Sequence, residues 1–267
     1  SGGDFLPGKE IEVTAGYHSK EDTVFKGVIV GQGLKMAKGG PSLLVIECRD
    51  KAVKMTVGRK NAYFADMKDS EIMDELIGAY SGLEADVETT SAKHPQMVQY
   101  YSTDWDFLIT RAEMNGLLVL NSDGKMVVKK PKVESEADLS LYYGETLMEF
   151  EVDMDSRNQY AAVKSASWDF SGQELLEMEG DDPGYNEAGN LSGSDLTSVI
   201  ELETFELKHP GRVSDQELQS WADSTFLRSR MAKIRGRAKC QGFTGILPGG
   251  TLELNGVGDR FNGKVFV

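Results

Sequence analysis

Apolar and polar residues alternate at the start of the chain. Lys9, Ile11 and Val13 share one face and Glu10, Glu12 and Thr14 the other, which predicts a strand. Residues 23–30 are rich in β-branched side chains and predict a second strand after the polar turn at 18–22. Beyond the breaker Gly39-Gly40-Pro41, residues 42–48 form an apolar run of strand length. The period then changes. Ile72, Met73, Leu76, Ile77 and Tyr80 fall on one helical face, predicting a helix over 69–81 with Asp69 or Ser70 as cap and Gly82 as stop. A second helix begins at Ser102 or Thr103, buries Trp105, Leu108, Ile109 and Ala112, and ends at Gly116. Its Asp104 and Asp106 sit where the helix dipole favours anions. Residues 117–120 and 125–129 read as a hairpin around Asn121-Ser122-Asp123-Gly124.

Two further alternations follow, of opposite sign. Glu149, Glu151, Asp153 and Asp155 occupy every second position, with Phe150, Val152 and Met154 between them, as in a half-buried strand. Those carboxylates are expected to be solvated or to line a lumen. Lys233, Arg235, Arg237 and Lys239 alternate with Ile234, Gly236, Ala238 and Cys240, placing four cations on one strand face. That stripe is a candidate subunit interface towards an acidic surface; its plainer reading is a solvated face. Between the two, residues 181–194 are rich in Gly, Asp and Asn and read as a long exposed loop. A third helix starts at Ser214-Asp215-Gln216-Glu217, which has capping-box spacing, and carries Leu218, Trp221, Ala222 and Phe226.

The two ends of the chain resemble each other. Leu6-Pro7-Gly8 precedes a strand, Gly16, a turn, and then Phe25-Lys26-Gly27. Leu247-Pro248-Gly249 precedes a strand, Gly256, a shorter turn, and then Phe261-Asn262-Gly263. Pro fixes φ and Gly tolerates positive φ in a tight lead-in to a strand. The Gly two residues after each Phe permits a bulge or close crossing. Two such copies around helix-containing segments suggest two related barrel-like domains.

Composition narrows the function classes. The 267 residues hold 43 acidic and 29 basic side chains, a net charge of −14 that repels phosphate backbones and argues against nucleic acid as a partner. No run of about 18 apolar residues is present, so no membrane-spanning helix is expected. Ser1-Gly2-Gly3-Asp4 lacks the features of a signal peptide and reads as the start of an excised piece. Cys48 and Cys240 fit no metal or disulfide spacing and read as structural thiols. His94-Pro95 and His209-Pro210 read as loop punctuation, His18 lies in a turn, and no Gly-x-Ser-x-Gly elbow accompanies them. Gly31, Gly33, Gly39 and Gly40 form no phosphate-binding pattern. No catalytic residue, metal site or cofactor is expected.

The run Tyr100, Thr103, Asp104, Asp106, Phe107, Leu108, then Arg111, Glu113 and Gly116, resembles the helical block of VgrG proteins and of the baseplate hub proteins of contractile phages. Arg111 stands one position later than in the commonest form of that block. The Leu-Pro-Gly segments and Phe25-x-Gly27 match as well, and residues 134–206 match poorly. The resemblance implies a mainly β fold with α+β inserts: two related β-barrel-like domains with small helix-containing elements between them. The domains would be 1–60, a first barrel lacking its N-terminal portion; 61–132, an insert with two helices; and 133–267, a second barrel with an acidic insert and one helix. It implies a structural hub rather than an enzyme, a homotrimer forming a pseudo-sixfold ring. That ring would adapt a hexameric inner tube of the Hcp type to a threefold spike domain that carries effectors. Such a protein is cytoplasmic before assembly and then part of a secreted apparatus or a virion. A phage or prophage tail hub is the first alternative. A carbohydrate-binding β module with exposed aromatics such as Trp168 is the second, and a glycosidase using two facing carboxylates is a distant third.

Overall fold

The computed structural model of the protein describes residues 4–18, 20–132 and 136–267. The chain forms two compact units, one comprising residues 1–89, 93–110 and 119–128, the other 90–92, 111–118 and 129–267. Both are built mainly from small sheets with short helices.

In the first unit, β1 (Glu10–Tyr17), β2 (Lys20–Lys35) and β3 (Leu43–Arg49) form an antiparallel meander with bulges at Val13/Thr14 and Ile29/Gly31. β1 and its lead-in cover β2 as far as Ile29; from Gly31 to Lys35 β2 pairs with β3. A 3-10 turn over Lys51–Thr56 is capped by Asp50, whose carboxylate accepts from the Ala52 N–H at 2.8 Å. β4 (Lys60–Lys68) leads into helix α1 (Asp69–Gly78), which packs on β4 and on β5 (Glu84–Val87). The helix buries Ile72, Met73, Leu76 and Ile77, the stripe expected from its period. β6 (Lys93–Ser102) pairs antiparallel with β4, and helix α2 (Asp104–Met114) follows it. β7 (Leu118–Ser122) and β8 (Lys125–Lys129) are joined by Asp123 and Gly124, both at positive φ as a two-residue hairpin turn requires. β8 also lies parallel to β5.

The histidine at 94 differs from expectation. It sits inside β6, buried, with its Nε2 3.1 Å from Asp69 Oδ2, and Pro95 beside it is exposed. Proline is tolerated there because, among the described residues, β6 pairs with β4 alone, so no ladder bond is lost on its other side.

The second unit begins with β9 (Leu139–Tyr142) and β10 (Leu147–Met154). β11 (Ala162–Asp169) and β12 (Glu174–Glu179) form a hairpin. After the short helix α3 (Gly193–Leu196) comes β13 (Thr204–His209), parallel to β11. Helix α4 (Asp215–Met231) covers one face of this sheet, where Val163 packs on Ala222 and Phe226 and the Ser165 hydroxyl donates to the Leu218 carbonyl at 2.8 Å. β14 (Ile234–Cys240) pairs with β10, and β15 (Thr251–Asn255) lies between β9 and β16 (Gly263–Phe266). Leu141, Leu147, Leu252 and Leu254 form an apolar core there. Residues 181–194 are more deeply set than an exposed loop, since Ala188 and Gly193 are buried.

The two Leu-Pro-Gly segments make the same three backbone hydrogen bonds. Gly8 N donates to Ile29 O and Gly249 N to Val267 O, both at 2.8 Å. Lys9 N donates to Leu6 O and Gly250 N to Leu247 O, both at 3.1 Å. Ile29 N donates to Lys9 O at 2.9 Å and Val267 N to Gly250 O at 3.0 Å. Gly8 and Gly249 adopt φ of +92° and +88°. Continued along the hairpins, this register sets Lys26 against Lys264 and Phe25 against Gly263. The Phe-x-Gly portions therefore stand two residues out of step, although the sequence aligns them directly. The reason is that the two glycines act differently. A Cβ on Gly27 would lie 2.2 Å from the Arg49 carbonyl oxygen, so Gly27 allows β3 to approach β2. Gly263 opens β16 at φ +127°, and Phe261 lies in the preceding turn, bonded to Gly258 O.

These roles predict different costs. Gly8→Ala, with open space around its Cβ, should lose about 1 kcal/mol from backbone strain alone. Gly27→Ala, which meets backbone, should lose about 3 kcal/mol. Urea unfolding midpoints of the two variants check the order.

Candidate functional site

The helical block that resembles the hub family is held by buried polar groups. The Thr103 hydroxyl accepts from the Asp106 N–H at 3.0 Å and so caps α2. Asp104, 2% exposed, sends one carboxylate oxygen to Gln99 Nε2 at 2.8 Å. Its other oxygen takes Lys60 Nζ and the Tyr80 hydroxyl, each at 2.6 Å. One carboxylate thus joins β4, the turn after α1, β6 and the start of α2. Burial pushes the Asp104 carboxyl up, but the bonds from Gln99, Lys60 and Tyr80 outweigh it and hold the group below the usual carboxylate range. The bond from Asp104 in turn raises Lys60, and burial first, then Asp104, raises Tyr80. Phe107 stacks on Phe64 with ring centres 6.0 Å apart, and Leu108 is fully buried. Tyr100 points away from this network and is 82% exposed. Tyr101, at φ +45°, donates its N–H to Asn61 Oδ1 at 2.9 Å and lies under the Arg59 guanidinium.

The end of the block belongs to the second unit. Arg111 is buried and its guanidinium donates to the Glu217 carboxylate, itself buried. Ser214 supplies the hydroxyl half of the expected capping box at 3.3 Å to the Glu217 N–H, while the Glu217 carboxylate takes up Arg111. The Glu113 carbonyl accepts from the Ser224 hydroxyl at 2.9 Å and from Arg228 at 3.3 Å. Gly116, at φ +68°, closes the helix as a Schellman motif: its N–H donates to Glu113 O and that of Leu117 to Ala112 O. Lys60 and Gln99 carry this site without any local sequence signal, and Tyr80 and Glu217, expected on a helix face and in a capping box, serve it in another way. Each lies in a different element from the residue it serves.

The basic stripe is placed differently from its sequence reading. β10 and β14 pair so that Glu149 faces Lys239, Glu151 faces Arg237 and Asp153 faces Arg235. Lys239 Nζ lies 2.6 Å from Glu149 and Arg237 Nη2 3.0 Å from Glu151. Asp155 is chelated by the Arg157 guanidinium and backbone N–H, which lowers its carboxyl to about 2. The cations and the alternating carboxylates are thus one cross-strand ladder within the chain. Lys233 leaves the stripe altogether. It precedes β14, is 2% exposed, and donates to Glu187 at 2.6 Å, to Ala188 O at 3.1 Å and to Leu191 O. Glu187 also accepts from the Gly193 N–H at 2.8 Å, so the lysine draws residues 187–193 inward. A period of two cannot foresee that, because the strand begins one residue later.

The depressed Asp104 carboxyl gives a signed prediction. Its contribution is fully present above the ordinary aspartate range near 4 and is lost as pH falls through the lower folded-state value. Asp104→Asn should destabilise the protein by about 2 kcal/mol at pH 7. It should also flatten the acid limb of the stability curve, read by thermal unfolding between pH 7 and pH 2.

No curated protein matches the chain. Solved structures that share its fold include three tail proteins. The tail protein from Neisseria meningitidis MC58 is 16% identical, covers 92% of this chain and 76% of its own, and has a TM-score of 0.62. The 43 kDa tail protein of prophage MuSo2 from Shewanella oneidensis is 13% identical over 93% of this chain and 75% of its own, with a TM-score of 0.62. The prophage tail protein gp18 from Listeria monocytogenes EGD-e is 10% identical over 92% and 74%, with a TM-score of 0.53. By a match that runs over residues 1–267, the chain belongs to the Alg8 N-terminal domain family.

Proposed function

We propose that this chain is the hub portion of a VgrG-like spike, a structural part of a type VI secretion or related contractile injection apparatus and not an enzyme. Three copies form a ring with pseudo-sixfold character that adapts a hexameric inner tube to a threefold spike. The observation that carries this reading is the duplicated hairpin lead-in, with the same three backbone hydrogen bonds at Leu6-Pro7-Gly8 and at Leu247-Pro248-Gly249. Two equivalent elements per chain, in a threefold assembly, offer six similar surfaces to a sixfold partner. The helical block around Asp104 and the fold shared with tail proteins support the same role. The partners are two further copies, a tube protein of the Hcp type, the spike domain and its effectors. The protein waits in the cytoplasm and leaves it with the apparatus. The likeness in fold to prophage tail proteins favours a second reading, the equivalent hub of a phage baseplate.

Light-scattering mass and negative-stain images of the full chain test the proposal. A particle of three times the chain mass, with a ring outline of threefold symmetry and six similar lobes, is expected. A monomer at tens of micromolar would count against it.

A further inference from the structure

Two surfaces stand exposed among the described residues. The outer part of β2 pairs with β3 alone, so the hairpin beyond Gly31 is a ribbon of two strands. Leu34 stands opposite Leu44 and Lys35 opposite Leu43, which puts apolar side chains on both faces. Leu34 is 61% exposed, and Met36, Leu43 and Leu44 are exposed as well. Such a ribbon is marginal in water and invites association unless covered. Residues 32–46 contain Lys35 and Lys38 and no acidic residue, in a chain with a net charge of −14.

The second surface is the face of the β12-β11-β13 sheet opposite α4. It holds a groove of about 260 Å³ lined in part by Ala166, Trp168, Leu175 and Glu177. Trp168 and Leu175 face each other across the hairpin and are both exposed. Lys164 and Lys208 on the same face are held by Glu179 at 3.4 Å and Glu206 at 2.5 Å. β12 is an edge strand with Glu174, Glu177 and Glu179 exposed.

We infer that the β2–β3 hairpin tip of one copy seats in this groove on a second copy. The face that carries Lys35 and Leu43, with Met36 at the tip, covers Trp168 and Leu175, and Lys35 and Lys38 face Glu177 and the acidic β12 edge. Apolar area meets apolar area, and because Lys164 and Lys208 in the groove are held by Glu179 and Glu206, the two cations of the tip meet Glu177 and Glu174. Because the two patches differ, the contact is heterologous; it makes a ring where the rotation closes and a filament where it does not, and the threefold reading above requires closure. The inference rests on the ring reading above and adds which surfaces meet.

Sedimentation equilibrium of the full chain is the test. Lys35→Glu with Lys38→Glu, and separately Glu177→Lys with Glu179→Lys, should each weaken association about tenfold, and combining all four should restore it to within about threefold. Met36→Ser with Leu43→Ser should also weaken it, with circular dichroism unchanged in every variant because these side chains are exposed. An oligomer that no variant disturbs overturns the hairpin assignment and leaves the ring reading standing. A monomeric wild type overturns both. Wild-type binding to phosphatidylglycerol vesicles that Lys35→Glu with Lys38→Glu abolishes, with the oligomer intact, overturns the assignment in favour of a lipid surface.

Discussion

A charge can be taken out of water only where a partner waits for it, and the cost of an orphan is several kcal/mol. That constraint shapes this acidic chain. Asp104 is buried with Lys60, Tyr80 and Gln99, Arg111 with Glu217, and Lys233 with Glu187 and two carbonyls. Lys60 and Asp104 are 44 residues apart in sequence and Arg111 and Glu217 are 106 apart. Each pair therefore fixes a long-range crossing that apolar contacts, being non-directional, leave free to slide. Small sheets of two or three strands have little core of their own. Directional anchors at the ends of α2 and at the start of β14 supply the register that those sheets cannot.

The same constraint explains what could be read from the sequence. Helices α1, α2 and α4 and the β7–β8 hairpin were legible because each signal is local: an apolar stripe, a cap such as Thr103 or Ser214, a Gly stop, an Asp-Gly turn. The Leu-Pro-Gly repeat was legible for the same reason, since its hydrogen bonds need only a Gly at positive φ and a returning strand. What failed was everything set by a distant partner. His94 beside a proline resembles a loop until Asp69 is placed against it. Lys233 continues the alternation of Arg235, Arg237 and Lys239, yet Glu187 takes it inside. The Phe-x-Gly copies align in sequence but not in register, because Gly27 answers to Arg49 of a third strand and Gly263 does not.

Duplication with divergence is the wider pattern. The first hairpin keeps a third strand on its far side, β3, while the second keeps β9, parallel and from a remote part of the chain. The conserved part of the repeat is the lead-in, where backbone geometry is demanding. The divergent part is the strand flank, where any neighbour with the right pleat suffices. The two hairpins thus share a lead-in and still differ in what surrounds them.

The charge pattern closes the argument. Residues 134–206 hold 19 acidic and two basic residues, which taken alone suggests a repelling surface awaiting a cationic partner. The ladder shows that for three of them, Glu149, Glu151 and Asp153, the cations are already in the chain. Carboxylates at 149, 151 and 153 and cations at 239, 237 and 235 have the same period, opposite sign and opposite direction, as an antiparallel pair demands. A charged stripe identifies a contact between copies only after a matching stripe in the same chain has been ruled out. Here the match exists, so Arg235, Arg237 and Lys239 are largely answered for within one copy. The ribbon of Leu34, Lys35, Met36 and Lys38 differs in kind, since Leu34 and Met36 stay exposed and residues 32–46 set no carboxylate beside the two lysines.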